Sequence, residues 1–556
     1  MTDRAVSADR APLRGDSLGV RDGRRARSWD ITRDVLVVGL GAAGGSAAIE
    51  ARRAGADVLV VDRFAGGGAT GKSAGIIYFG GGTELQTAAG YADSPENMFD
   101  YLRIEVGDAV SEATLRAFCE TSVANFEWLR RLGVPFPVSG KVVKSAYPES
   151  DSTLYFSGNE LCRPYRDHAT PAPRGHRPLG VGLTGHLSAE AMRHGALEAG
   201  VELRPYSRVE RLVVDGDGEV IGAVVCESTA PRWLVEMMEL LVQYGGGISS
   251  RLGGVLQATL RRVERSCERR YVRARRGVIL CTGGFVFDRA LMLEHAPGYA
   301  SCSMRLGTAG DDGSGIQIGQ AAGGALGKMD RCTAWRFIDP PAAWWGGILV
   351  GRSGARICNE TLYGGKVGEH MIEEHGGKGT LIVDAATMAR GRRQVMSGNP
   401  QLYQRIFGLI NGYVTCRSAP TLRQLAARVG IDADGLEASV ATYNAGVRAG
   451  VDGLGKQLEG MSPIDGGPYY AIPFDNDGLL YPTPCLTLGG LRTEGLTGRV
   501  LGADGAAIPG LYAAGRAAVG VSSNGYVSGL SVADGIFAGR GAGRHAAGRA
   551  RGPIAT

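Results

Sequence analysis

Apolar residues group into two unbroken runs near the start of this chain, Val35-Leu36-Val37-Val38 and Val58-Leu59-Val60-Val61, separated by a stretch with helical spacing. Runs of this length predict buried strands, so residues 34–62 read as strand, helix and strand. Residues 95–132 carry apolar positions at three and four residue spacing and predict helix. Residues 200–225 read as strand, turn and strand, with Asp215-Gly216-Asp217-Gly218 as the turn, and residues 271–284 offer the sheet partner. An excursion over 229–270 separates them. In it Trp233, Met237, Leu240, Leu241 and Tyr244 fall on one helical face, then Gly245-Gly246-Gly247 breaks the pattern before an arginine-rich helix. Residues 326–479 are mixed, with Trp335, Trp344, Trp345 and short helices, and from Leu486 the strand, turn and helix pattern returns. These patterns predict one domain built from 31–325 and 480–556, and a second domain, 326–479, inserted into it. Residues 1–30 mix Arg and Asp without periodicity and predict a disordered leader.

Between the first two strands stands Gly39-Leu40-Gly41-Ala42-Ala43-Gly44, and the second strand ends on Asp62. Gly39 allows the tight turn, Gly41 a close approach to a pyrophosphate, and Gly44 close helix packing, while the helix N-terminus offers N–H groups and a positive dipole end. Asp62 is placed to accept ribose hydroxyls. The unit therefore predicts a bound dinucleotide, NAD or FAD. A small-residue loop over 66–83, carrying Ser73, Ala74 and Gly75, brings further backbone N–H groups toward a flat or phosphorylated ligand.

At 556 residues more than one domain is expected. A formal charge of +5 and 7% aromatic residues give no sign of a nucleic-acid partner. The ten cysteines show no CxxC or Cys/His spacing, and His370 and His375 make no HExxH pair, so no metal is expected and the thiols should stay free, as in a reducing cytosol. Arg24-Arg25 is followed by no export-type apolar segment, and no run reaches the length of a membrane span. A cytoplasmic protein is expected. Residues 251–276 hold nine arginines against Glu264 and Glu268, a surplus of seven. The stretch 229–276 suits a peripheral contact with an anionic membrane, packing against another subunit, or packing on its own domain.

Gly510 to Arg516, GLYAAGR, and a helix beginning near Ser528 resemble the closing segment of the FAD-dependent fumarate reductase and 3-ketosteroid dehydrogenase superfamily. The loop at 66–83, Gly310 to Ile316 (GDDGSGI) and Gly354 to Gly364 (GARICNETLYG) resemble it too. The resemblance implies an α/β fold: a discontinuous Rossmann-type FAD-binding domain of glutathione-reductase type with an inserted α+β capping domain. It implies FAD as cofactor. Implied contacts are Gly39, Gly41, Ala42, Ala43, Gly44, Asp62 and Arg63 in the first unit, Ser73, Ala74 and Gly75 in the loop, Val209, Thr282, Gly283 and Asp312 in the middle of the domain, and Gly515, Arg516, Leu530 and Ser531 at the end.

Within that superfamily, dicarboxylate reductases place an arginine after the Asn-Glu of the inserted domain. Here Asn359-Glu360 leads to Tyr363, which points to a neutral ketone. Ketosteroid 1-dehydrogenases carry a proline and glycine rich sequence after the tyrosine equivalent to Tyr526, where this chain has Val527-Ser528. The Tyr-x-Ser pair and Tyr363 look like the 3-ketosteroid 4-dehydrogenases that act on 5α-reduced steroids. That resemblance implies a ketosteroid-like substrate and an external electron acceptor, with Tyr526 and a backbone N–H near Gly529 polarising the ketone, Ser528 facing carbon 4, Tyr363 completing a proton relay, and flavin N5 taking the hydride. Ser528 also suits the N-cap of the last helix. Tyr469 and Tyr470 are expected to line the site. The rival readings are a 1-dehydrogenase, an enoate reductase on a smaller substrate, and a flavoprotein electron carrier.

Overall fold

The structure is a computed structural model that describes residues 13–14, 28–138, 140–149, 151–245, 250–397, 401–459 and 461–550. Its main sheet is centred on the Ile31–Val38 strand, which pairs in parallel with Val58–Val61 on one side and with the end of the long Cys267–Leu280 strand on the other. Glu202–Arg204 extends the sheet in parallel beyond Val58–Val61, and Ala507–Ala513 joins Leu280 in parallel from the far end of the chain. Both faces are buried. Val35, Val37, Val58 and Val60 pack on the helix side, and Leu36, Val38, Leu59 and Val61 on the opposite side, which is why the runs are apolar without alternation.

The first half of Cys267–Leu280 turns away to pair antiparallel with Val220–Ser228, which pairs with Ser207–Val214 around the Asp215 turn. Two findings here correct the sequence reading. Leu13–Arg14 forms a short strand parallel to Ser207–Val214, so the leader contributes to the sheet edge; the rest of 1–27 lies outside the described residues. Cys226 and Cys267 form a disulfide between neighbouring strands, so not every thiol stays free. The two insert helices, Arg232–Gly245 and Ser250–Val263, branch from this region.

The glycine-turn helix, Ala42–Arg53, packs along the final helix, Leu530–Gly548. Gly539 and Gly543 permit that approach: a Cβ on either would stand 2.2 Å from the carbonyl oxygens of Ala43 and Ala47. A second sheet, all antiparallel, runs Ile348–Val350, Thr380–Val383, Tyr469–Pro473, Arg417–Ala419. Its faces are also both buried, Ile348, Val350, Ile382 and Ala471 against Leu425 and Leu436, and Leu349, Leu381 and Ile472 against Trp344, Met371 and Met388. Two small sheets join the halves: Cys332–Ala334 and Met304–Arg305 flank Pro484–Thr487, and Leu326–Gly327 pairs with Gly490–Leu491. No helix among the described residues is long and apolar enough to cross a membrane.

Candidate active site

One continuous cavity of about 690 Å³ runs from the glycine turn to the seam between the two sheets. At its nucleotide end Gly39 holds φ +100°, and a Cβ there would stand 2.4 Å from the Cys281 carbonyl oxygen, so the turn requires glycine. The Asp62 carboxylate accepts N–H bonds from Leu40 (2.7 Å) and Phe64 (2.8 Å), which fixes it at the cavity wall. Burial raises its pKa. Thr282 Oγ1 and Arg516 Nη1 belong to wall residues yet have no hydrogen-bond partner in the protein. Unpaired buried donors at a ligand-sized cavity suit a polar ligand that bonds to them.

Most of the expected cofactor residues line this space: Gly39, Gly41, Ala42, Ala43, Asp62, Arg63, Ser73, Ala74, Gly75, Val209, Thr282, Gly283, Gly515, Arg516 and Ser531. Gly44, Asp312 and Leu530 stand behind it. A Cβ on Gly44 would lie 1.8 Å from the Gly39 carbonyl oxygen, so that glycine serves packing. Asp312 binds Arg63 at 2.9 Å and caps the Ser314–Ala321 helix through the Ser314 N–H. Burial opposes its ionisation, but Arg63, Ser314 and Arg261 outweigh that and hold the carboxyl at about 2. Its neighbour Asp311 lines the cavity and bonds Arg516 at 2.6 Å. Arg63 also makes a bidentate pair with Glu264 of the insert, at 2.6 and 2.8 Å.

The other end of the cavity collects residues from both halves of the chain. Tyr363 precedes the Gly364–His375 helix, and its N–H donates to Asn159 Oδ1 at 2.7 Å. Its hydroxyl accepts from Trp335 Nε1, and Ser528 lines the same cavity. Burial, first, and then Tyr526 and Tyr155 keep its pKa well above the ordinary value, so it is protonated at rest. Tyr526 packs edge-on against Trp335 at 5.4 Å. Burial pushes the Tyr526 hydroxyl up to about 12 against the opposing bond from the Gly529 N–H. Gly529, at φ +89°, occupies the N-cap of the final helix in place of the expected Ser528 and leaves the serine facing the cavity.

Asn359 and Glu360 serve the turn that delivers Tyr363. Asn359 Oδ1 accepts from the Thr361 N–H at 2.9 Å, while the buried Glu360 binds Arg356 (2.8 Å) and Lys456 (3.0 Å). Trp335, Phe337, Tyr403, Phe407, Tyr481 and Leu486 complete the apolar walls. Tyr469 and Tyr470, expected at the site, belong to the second sheet and are not at the cavity; Tyr481 takes that place, its hydroxyl bonded to the Phe337 carbonyl at 2.5 Å. Trp344 is core and Trp335 lines the cavity.

A family model described as an FAD binding domain matches residues 34–532. The chain belongs to the FAD binding domain family. Its cofactor is FAD, and the unpaired Thr282 and Arg516 atoms, the fixed Asp62 carboxylate and the glycine turn suit that group. This flavoprotein is 34% identical over 500 residues to the 3-oxo-5-alpha-steroid 4-dehydrogenase of Comamonas testosteroni, covering 88% of this chain and 93% of the relative. It is 27% identical over 564 residues to a 3-oxosteroid 1-dehydrogenase of Mycobacterium tuberculosis, covering 89% and 94%. Among solved structures it superposes on the 3-ketosteroid-Δ4-(5α)-dehydrogenase of Rhodococcus jostii RHA1, in complex with 4-androstene-3,17-dione, with a TM-score of 0.80 and 34% identity, covering 97% of this chain and all of that one.

Several lining residues of the flavoprotein escaped the sequence reading, among them Lys72, Ser207, Arg208, Glu239, Asp311 and Asp339. Glu239 had a signal: it lies one turn from Val235 and three residues from Val242, on the otherwise apolar buried face of its helix. Asp339 had a weaker one, an acid after the largely apolar Trp335-to-Ile338 run. Burial raises it to about 6.

Proposed function

We propose that this flavoprotein desaturates a saturated 3-ketosteroid between carbons 4 and 5. The reading is carried by one observation: Tyr363 and Ser528, from opposite halves of the chain, line one cavity together with Tyr526 and Gly529. The surrounding wall is largely aromatic, with Asp339 an acid within it. Arg63, Lys72, Arg208 and Arg516 are the cations of the cavity lining, and they belong to segments around the nucleotide end. A dicarboxylate needs cationic clamps beside the reacting carbons, whereas a steroid ketone needs a flat apolar slot and one polarising donor.

FAD, when bound, supplies the hydride acceptor. The Tyr526 hydroxyl, held protonated and itself accepting from the Gly529 N–H, donates to the 3-keto oxygen and stabilises the enolate-like charge that grows there. Ser528 receives the carbon 4 proton as its own proton moves to Tyr363, whose hydroxyl proton leaves toward water. The Trp335 N–H on the same tyrosine oxygen stabilises charge during that passage. Tyr363→Phe, Tyr526→Phe and Ser528→Ala are each expected to retain bound flavin, read from its absorbance, and to lower kcat by roughly a hundredfold or more. A panel of 5α-3-ketosteroids supplied anaerobically tests the reading itself. Flavin bleaching with a 4,5-unsaturated product is the expected result; a 1,2-unsaturated product, or no bleaching but reoxidation of reduced flavin by an enoate, sinks it.

The same reading gives the insert a role at a lipid surface, where apolar steroids collect. Trp233, Met237, Leu240, Leu241 and Tyr244 form one exposed stripe on its first helix, with Trp233 64% and Tyr244 65% exposed. Such a stripe suits shallow insertion into a bilayer interface.

A further inference from the structure

Behind the proposed site runs the segment Tyr155-Phe156-Ser157-Gly158-Asn159, of which Tyr155, Ser157 and Asn159 touch the catalytic groups. The Tyr155 hydroxyl donates to Ser528 Oγ at 3.4 Å, the Ser157 hydroxyl donates to the Ser528 carbonyl at 3.4 Å, and Asn159 Oδ1 accepts the Tyr363 N–H at 2.7 Å. Side chains two apart on an extended chain share one face, which sets Ser157 beside Tyr155 at the end of its short strand, and the bend at Gly158 and Asn159 then carries Asn159 to Tyr363. Gly175 marks that face independently: a Cβ on it would meet Ser157 Cβ at 2.5 Å and Tyr155 Cε1 at 2.6 Å, so the strand opposite carries no side chain there.

From this register we infer that Tyr155, Ser157 and Asn159 form a positioning rail that holds the serine and the tyrosine of the proton relay in mutual register. The inference rests on the ketosteroid reading and deepens it. Ser528 lies on a loop near the chain end and Tyr363 comes from the inserted segment, so no local structure fixes one against the other. The rail does so from a third part of the sequence. It holds Ser528 at two atoms, side chain and carbonyl, and Tyr363 through its backbone. Asn159 is itself anchored, its Nδ2 donating to Glu105 at 3.1 Å and its N–H to the Tyr101 hydroxyl at 2.9 Å. Burial keeps the Tyr155 phenol well above its ordinary pKa, so it acts as a donor and leaves the second lone pair of Ser528 Oγ free to take the carbon 4 proton. Tyr155 and Ser157 do not line the cavity and so act through Ser528, without touching substrate. The 3.4 Å contacts are long for O–H···O bonds, and catalytic hydrogen bonds of this kind shorten when substrate binds.

The test compares holoenzymes carrying Tyr155→Phe, Ser157→Ala and Ser528→Ala, with a 5α-3-ketosteroid and its carbon 4 deuterated form. Tyr155→Phe is expected to keep FAD content, melting temperature and KM near wild type, to lower kcat roughly tenfold to a hundredfold, and to raise the carbon 4 isotope effect, because only the proton step is misaligned. Ser157→Ala should do the same more weakly. A merely structural tyrosine would lower stability or raise KM and leave the isotope effect alone, and that result overturns the rail. Wild-type kcat and isotope effect in both variants, with Ser528→Ala inactive, also overturn it and leave the ketosteroid reading standing. Full activity in Ser528→Ala overturns both.

Discussion

Asp534 lies on the final helix facing Val521 to Ser523, and its carboxylate accepts from the Ser522 hydroxyl at 3.2 Å. Burial, opposed by weaker bonds from Val521 and Ser522, pushes its pKa to about 6 from an ordinary 3.8. The folded chain therefore keeps this proton over a range in which the unfolded chain has lost it. Stability from the protonated form is complete below the unfolded value and is lost as pH rises through the folded one; above about pH 6 the chain is less stable by about 3 kcal/mol. Asp534→Asn, which mimics the neutral acid, should match wild type in thermal unfolding near pH 3.5 and exceed it near pH 8; equal melting at both sinks the assignment. The expected site residues that the fold gathers at the cavity include those tied to a motif, such as Asp62 after its strand and Ser528 two beyond Tyr526. Asp311 and Asp312 show the limit. Which of two adjacent acids faces the cavity depends on the turn they make, and Arg63, which draws Asp312 away, is 249 residues distant.

The helix pair at the glycine turn explains why an element with few large side chains can organise the nucleotide end. Gly539 and Gly543 of the final helix lie against Ala43 and Ala47, and Ala43 is itself at the cavity wall. Gly539→Val would drive a Cβ to within 2.2 Å of the Ala43 carbonyl oxygen and push the turn with it. A loss of about 3 kcal/mol in stability and reduced FAD retention are expected, whereas Gly548→Ala, with nothing within 4 Å of its Cβ, should change neither. Thermal unfolding and the flavin to protein absorbance ratio report both, and retained flavin in Gly539→Val at wild-type stability would remove the packing account. At this scale the strands and the turn were legible, because a strand buried on both faces is apolar throughout. Leu13–Arg14 was not legible, since two residues carry no period and pair only because Ser207–Val214 offers a free edge. The Tyr155 rail hid for a similar reason: its strand is two residues long, and its meaning lies in partners more than 200 positions away.

Assembly of the whole chain changes the meaning of the insert most. Seven surplus positive charges over 251–276 suggest attraction to anionic lipid, yet the fold pairs Arg261, Arg269, Arg270 and Arg275 with acids from other segments. Arg269 binds Glu210 at 2.7 Å, Arg270 meets Glu268 at 2.9 Å and Glu227 at 3.5 Å, Arg261 meets Asp288 at 3.5 Å, and Arg275 reaches Asp34 at 2.9 Å. Apart from Glu268, those partners lie in four other stretches of the sequence and are invisible to any local count of charge. The apolar stripe from Trp233 to Tyr244 stays outward, as do Arg262 and Arg265, while the opposite side of the insert packs Val235, Met238 and Val242 into the core and lends Glu264 to Arg63 beside the nucleotide end. If lipid contact were electrostatic, binding would need anionic vesicles and would fall steeply with salt. A stripe in which each large side chain contributes roughly 2 kcal/mol on burial binds neutral vesicles and tolerates salt. The holoenzyme should therefore float with phosphatidylcholine vesicles at both low and high ionic strength. Trp233→Ser combined with Leu241→Ser should abolish flotation while leaving FAD content unchanged, because neither side chain lines the cavity. Binding confined to anionic vesicles and removed by salt would overturn this account in favour of the arginines, and a dimer in solution that the double variant dissociates would assign the stripe to a second copy of the chain.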